Sequence, residues 1–119
     1  MADSILRAKS KQFAVEIIKV CRIMRNDRIE YSLVDQLLRC GTSVGANIHE
    51  AQFAQGTRDF ISKFEIALKE CNECEYWLDL LKSTDSIDPM SCDGLLHQCN
   101  ELRRMLLSSV ATLKAKSSQ

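Results

Sequence analysis

The sequence predicts an all-α fold, an up-down-up-down four-helix bundle, and three observations predict it. Apolar residues recur at i, i+3, i+4 and i+7 through four long segments, the spacing that gives a helix one buried face. The 119 residues hold one proline and four glycines, too few for the many turns of an all-β domain. The breaks between segments are short, and short connections make consecutive helices antiparallel neighbours. A chain of this length can bury one core without staples, so residues 1–119 read as a single domain.

The first helix is expected over about residues 4–25. Ser4 is the candidate N-cap, although no acidic residue follows three positions later to complete a capping box. Leu6, Phe13, Ile17, Val20, Cys21 and Met24 line one face, with Ile5, Ile18 and Ile23 on its flanks. A core-facing helix is the plain reading, and a basic helix lying on a membrane surface is the alternative. Asn26 and Asp27 break the pattern, and the second helix is expected over about residues 31–54.

Gln55-Gly56-Thr57 reads as a stop and a fresh start. Gly56 suits a left-handed position after the helix, and Thr57 with Asp59 puts a cap and negative charge at the next N-terminus. The third helix, about residues 58–82, buries Phe60, Phe64, Ala67, Leu68, Cys71, Cys74, Leu78 and Leu81. Glu75 sits at the edge of that stripe and needs a partner, for which Arg39 of this chain or a neighbouring one is the candidate. Ile66, Trp77 and Leu80 make a second apolar strip, better suited to a subunit contact than to a monomer. A Trp at the rim of a monomer core is the alternative. Residues 83–89 (STDSIDP) form the clearest loop. The fourth helix follows over about residues 90–114, with Leu95, Cys99, Leu102, Leu106, Val110 and Leu113 at helical spacing.

The second helix carries the most pointed pattern. Val34, Leu37, Gly41, Val44 and Ile48 form one stripe, and Arg39, Ser43, Asn47 and Glu50 form a polar stripe nearly opposite. A glycine inside a helix costs roughly 1 kcal/mol against alanine. Two of them one turn apart, Gly41 and Gly45, make sense where another backbone comes close.

Catalytic and metal chemistry find little footing. No Glu-x-x-His pair exists to build a di-metal site, since Ala46 and Gly94 stand three residues before the two histidines. Cys71-x-x-Cys74 lies mid-helix at core spacing, not at a helix N-terminus where a thiol is activated. Zinc on that pair would need two more ligands, such as Cys21 or Cys99. Ser43 and His49 lie roughly 240° apart around one helix and cannot meet. The six cysteines read as small buried hydrophobes of a cytoplasmic protein. No apolar run approaches a membrane span and no signal h-region opens the chain.

Charge sums to zero but is uneven. Residues 1–30 carry seven Lys/Arg against four Asp/Glu, residues 57–88 four against eight, and residues 89–119 four against two. That is less than the footprint of an autonomous nucleic-acid binder and suits complementary contacts between subunits. The aromatics read as core residues, too few for a base-stacking platform.

The string Arg39-Cys-Gly-Thr-Ser43-Val-Gly-Ala-Asn47-Ile-His-Glu50-Ala-Gln, then Asp59-Phe60-Ile61, Ile66-Ala67-Leu-Lys-Glu70 and Tyr76-Trp77-Leu78, resembles one bacterial family. Its members are four-helix-bundle proteins first noticed as reading frames within 23S rRNA intervening sequences. The match covers about residues 31–82 by motif, and the first and last helices by pattern. The resemblance implies assembly into a ring, typically a homopentamer. A related branch, the accessory protein of diversity-generating retroelements, binds a reverse transcriptase and nucleic acid through a basic surface; that branch is basic where this chain is neutral.

These readings converge on a non-enzymatic, homo-oligomeric scaffold or adaptor without a cofactor, a metal or a membrane contact. Arg39, Ser43, Asn47, Glu50 and Glu75 are expected to form a polar network at a helix or subunit junction, with Trp77 in the apolar contact. The alternative is an RNA-binding accessory protein using Lys9, Lys11, Arg22, Arg25 and Arg28, or Arg103 and Arg104. A small metalloprotein built on the cysteines is the third reading.

Overall fold

A computed structural model describes residues 2–117 of the chain, and side chains from residue 4 onward. Every element is helical: α1 (Ala2–Asn26), α2 (Tyr31–Ala51), α3 (Thr57–Ser83) and α4 (Pro89–Ser117), with no strand among the described residues. Each helix packs on its neighbours in sequence and α4 closes against α1, giving a square bundle with extents of 52 × 21 × 21 Å. Cross-helix pairs descend in number on one helix as they rise on the next, as antiparallel neighbours require. Examples are Arg25 with Asp35, Lys82 with Asp93, Lys114 with Glu65, and Lys9 with Glu101.

The core follows the helical stripes. Phe13, Ile17 and Met24 of α1, Leu37 and Ile48 of α2, Phe64 and Leu78 of α3, and Leu102 and Leu106 of α4 are fully buried. Burying each such side chain contributes roughly 1.5–3 kcal/mol. All six cysteines are free thiols inside this core. Ser10 is the one buried polar side chain among the described residues, and its Oγ donates to the Arg7 carbonyl at 3.1 Å.

Both glycines of α2 face α1. A Cβ built on Gly41 would stand 2.7 Å from Ile17 Cγ2 and 2.8 Å from Ile17 Cγ1, closer than carbon atoms approach. A Cβ on Gly45 would sit 3.4 Å from the Ser10 carbonyl oxygen, a tight contact with backbone. The α1–α2 seam therefore depends on missing methyl groups.

The helix ends depart from expectation in four places. Ser4 lies inside α1, which begins at Ala2, so it caps nothing. The second helix ends at Ala51, short of residue 54. Gln52, Phe53 and Ala54 donate to carbonyls three residues back rather than four, the tightened last turn in which helices often close. Gly56 is extended, with φ 169° and ψ 179°, and serves as the N-cap of α3. Thr57 is consequently the first residue of α3, and the Asp59 carboxylate accepts from the Gln55 N–H at 3.2 Å. The fourth helix starts at Pro89, whose fixed φ suits the first helical position. Asp88 caps it by accepting from the Ser91 N–H at 3.0 Å.

Among the described residues, those in the left-handed region are Arg28, at φ 62°, and Asp85, at φ 56°. After α1, the Ile29 N–H reaches the Met24 carbonyl and the Arg28 N–H the Arg25 carbonyl. After α3, Ser86 and Asp85 do the same to Leu81 and Lys82. Both are Schellman motifs with a side-chain residue where glycine is usual.

Two outcomes follow in urea denaturation. Arg28→Gly should stabilise the chain by about 0.5–1 kcal/mol, because the left-handed backbone no longer strains a Cβ. Gly41→Ala should destabilise it by about 1–3 kcal/mol through overpacking against the stiff Ile17 side chain, while Gly45→Ala should cost less.

Candidate interaction surface on the α2–α3 seam

The polar stripe of α2 runs along the edge that α2 shares with α3. Arg39 is its centre. The guanidinium, about half exposed, contacts Glu70 at 3.2 Å through Nη1 and pairs with Glu73 through Nη2. Trp77 donates its indole N–H to the same Glu73 carboxylate at 3.1 Å. Tyr76 meets Trp77 edge-on, with ring centroids 5.0 Å apart. Glu70, Glu73 and Trp77 follow one another at three- and four-residue steps, so one face of α3 presents all three to Arg39.

Of the residues expected in a network, this arrangement unites Arg39 and Trp77 and adds Glu70 and Glu73. Asn47 donates to the Ser43 carbonyl at 2.8 Å, a bond within α2. Glu50 is exposed and its side chain has no hydrogen bond or ion pair among the described residues. Glu75 does not meet Arg39. It lies on the α4 edge of α3, where Arg103 pairs with it and also donates to Asn100 at 3.1 Å. Residues two apart on a helix point to different neighbours, and that separates Glu73 from Glu75.

The Arg39 guanidinium, and secondarily the Trp77 N–H, hold the Glu73 carboxyl below its ordinary range, while Glu73 pushes Arg39 up. Both groups are largely solvated, so the pair contributes at most about 1 kcal/mol. Around the network lie Ile66 and Tyr76, both exposed, and Leu80, half exposed.

The basic residues considered for nucleic acid do not form one patch. Lys9, Arg25 and Arg103 are engaged by Glu101, Asp35 and Glu75 on three different seams. Lys11, Arg22, Arg28 and Arg104 are exposed. The aromatics are less buried than their number suggested: Tyr31, Phe53 and Tyr76 are 66%, 71% and 60% exposed. Phe53 falls in the tightened turn after α2, beyond the reach of the core, and Tyr31 opens the same helix under the Arg25 guanidinium.

The thiols behave as packing groups. Cys74 Sγ lies 3.3 Å from Cys40 Sγ, and Cys99 donates to the Cys71 carbonyl at 3.3 Å. Burial pushes the Cys21 thiol up to about 11. Cys71 is also pushed up, first by hydrogen bonding to Cys99 and then by burial, and Cys74 by hydrogen bonding to Cys40 and Cys99 and then by burial, while those bonds hold Cys99 down. The raised thiols, Cys21, Cys71 and Cys74, are poor nucleophiles. Among the described residues no three His, Cys, Asp or Glu side chains are arranged to hold a metal ion.

The lowered Glu73 carboxyl makes its contribution fully present above the ordinary glutamate range and lost as pH falls through the lower folded-state value. The stability difference between the parent chain and Glu73→Gln should therefore be present at neutral pH and shrink to nothing in acid. Denaturant midpoints measured across that range read it directly.

Among the described residues no helix is long and apolar enough to cross a membrane. No curated protein matches the chain. A solved structure from Bacteroides thetaiotaomicron VPI-5482, a protein of unknown function from the S23 ribosomal protein family, is 41% identical. The match covers 93% of this chain and 99% of that one, with a TM-score of 0.90. Residues 2–108 match the family described as 23S rRNA-intervening sequence protein. With the motif-bearing second and third helices and most of the fourth inside that match, the chain belongs to the 23S rRNA-intervening sequence protein family.

Proposed function

We propose that this protein is a non-enzymatic, homo-oligomeric scaffold whose subunits meet through the α2–α3 face. The observation that carries this reading is the Arg39–Glu70–Glu73–Trp77 network with the half-exposed and exposed apolar groups beside it. The network fixes the Trp77 ring, and exposed Ile66 and Tyr76 with half-buried Leu80 extend an apolar surface beside it. Oriented aromatics rimmed by paired charges are the composition of an interface core and rim. A heterologous contact of this kind closes into a ring when its rotation allows, and the family resemblance favours a pentamer. Arg39, Ser43, Asn47 and Glu50 then act at the junction as register-setting polar groups, and Glu75 with Arg103 braces α3 from behind.

Light scattering on the purified chain tests this. The expected mass is near five times the 13.5 kDa protomer. Ile66→Glu and Tyr76→Ala should each lower it while leaving helicity unchanged, since both side chains are exposed in the protomer. A protomer-sized mass for the parent chain would overturn the proposal.

A further inference from the structure

We propose that the groove between α1 and α2 binds single-stranded nucleic acid, with Arg7, Lys11 and His49 along the phosphate path and Phe53 as a stacking face for a base. The groove has a volume of about 520 Å³ and a floor of small residues, including Ala14, Gly45 and Ala46. That volume is of the size that accommodates small organic ligands. Short side chains on the floor let a sugar–phosphate backbone lie close to the helices.

Two observations set this groove apart. The first is its charge. Arg7, Lys11 and His49 line it, and no acidic residue does among the described residues. On the other seams Lys9, Arg39 and Arg103 each meet a carboxylate. On this seam Asp35 lies at the far end of α2, where Arg25 engages it. The α1 face continues by helical steps through Ile18 to Arg22, which is exposed.

The second is the aromatic pair at the groove's end. Phe53 is 71% exposed, and its ring lies against His49 with centroids 5.4 Å apart. Nothing in the core needs this ring. A positive groove that tracks the backbone, beside an exposed aromatic on which a base stacks, is the arrangement by which single strands are held without sequence preference. An acidic peptide would use the cations but would have no use for a flat ring held at their end. Nucleic acid uses both.

This site is separate from the α2–α3 face, and its test is arranged to be separable from that reading. The probe is fluorescence anisotropy of a short labelled oligouridylate, and of its oligodeoxythymidylate counterpart, with the full chain at low salt. Saturable binding is expected, with log affinity falling against log salt at a slope of about −2 for three phosphate contacts. Arg7→Ala with Lys11→Ala should weaken binding at least about tenfold, and Phe53→Ala about fivefold or more. Arg104→Ala, an exposed cation on α4, should leave it unchanged. Equal affinity for the two strands supports a path reading phosphate and base face alone; preference for the ribo strand supports the same path with added 2′-hydroxyl contact. No binding of either strand overturns the proposal. So does equal loss from Arg104→Ala, no loss from Phe53→Ala, or displacement by polyglutamate as effective as by unlabelled strand. The altered residues are exposed, so helicity and light-scattering mass should stay those of the parent, which separates a failed groove from a failed assembly.

Discussion

The whole bundle hangs on how closely α1 and α2 approach, and at Gly41 a single methyl group would run into Ile17. Without a methyl group there, the Ile17 side chain occupies the space that a residue with a Cβ would claim. That approach sets the seam for its full length. It lays Gly45 on the Ser10 backbone and brings Arg25 to Asp35 at the far end. Two helix-interior glycines cost roughly 1 kcal/mol each in propensity. Close backbone packing along the seam is what they return.

The uneven charge of the sequence becomes complementarity in the fold. The acidic third helix lies between neighbours that supply its cations: Arg39 from α2, and Arg103 and Lys114 from α4. A segregation that suited contacts between subunits is thus largely used within one protomer. What it leaves over is local, at the α1–α2 groove, where the basic first helix faces a part of α2 without carboxylates. Solvated ion pairs each contribute little to stability. Their effect here is to orient, as Glu73 does by holding Arg39 and the Trp77 ring at once.

Helical periodicity made the core stripes legible, because Phe13, Ile17, Leu37, Ile48, Phe64 and Leu78 recur at steps that only one geometry buries together. Gly41 and Gly45 were legible for the same reason, as losses of propensity without a turn to excuse them. The helix ends were not. Nothing in Arg28 or Asp85 announces a left-handed backbone, since the Schellman hydrogen bonds that hold it there involve main chain only. Gly56, which looked suited to that role, is extended instead. Partner choice on the seam was half legible. Glu70, Glu73 and Trp77 share a face by their spacing alone, but Glu75 drew attention by its closeness to the core stripe. Which seam it served depended on the position of α4. Phe53, counted with the other aromatics as core, falls beyond Ala51, where the helix ends.

The six thiols bring a consequence of another kind. Folded, they are sequestered from solvent, and two of them stand in contact at 3.3 Å without a bond. Unfolded, the same chain becomes a flexible polymer carrying six exchangeable sulfurs and no native pairing to guide them. Any disulfide formed there is foreign to the bundle, because its core is shaped around reduced sulfur. In an oxidising medium a transient opening would thus be captured rather than reversed. The durability of this protein would be set by how often it opens, not by the free energy that separates its folded and unfolded states.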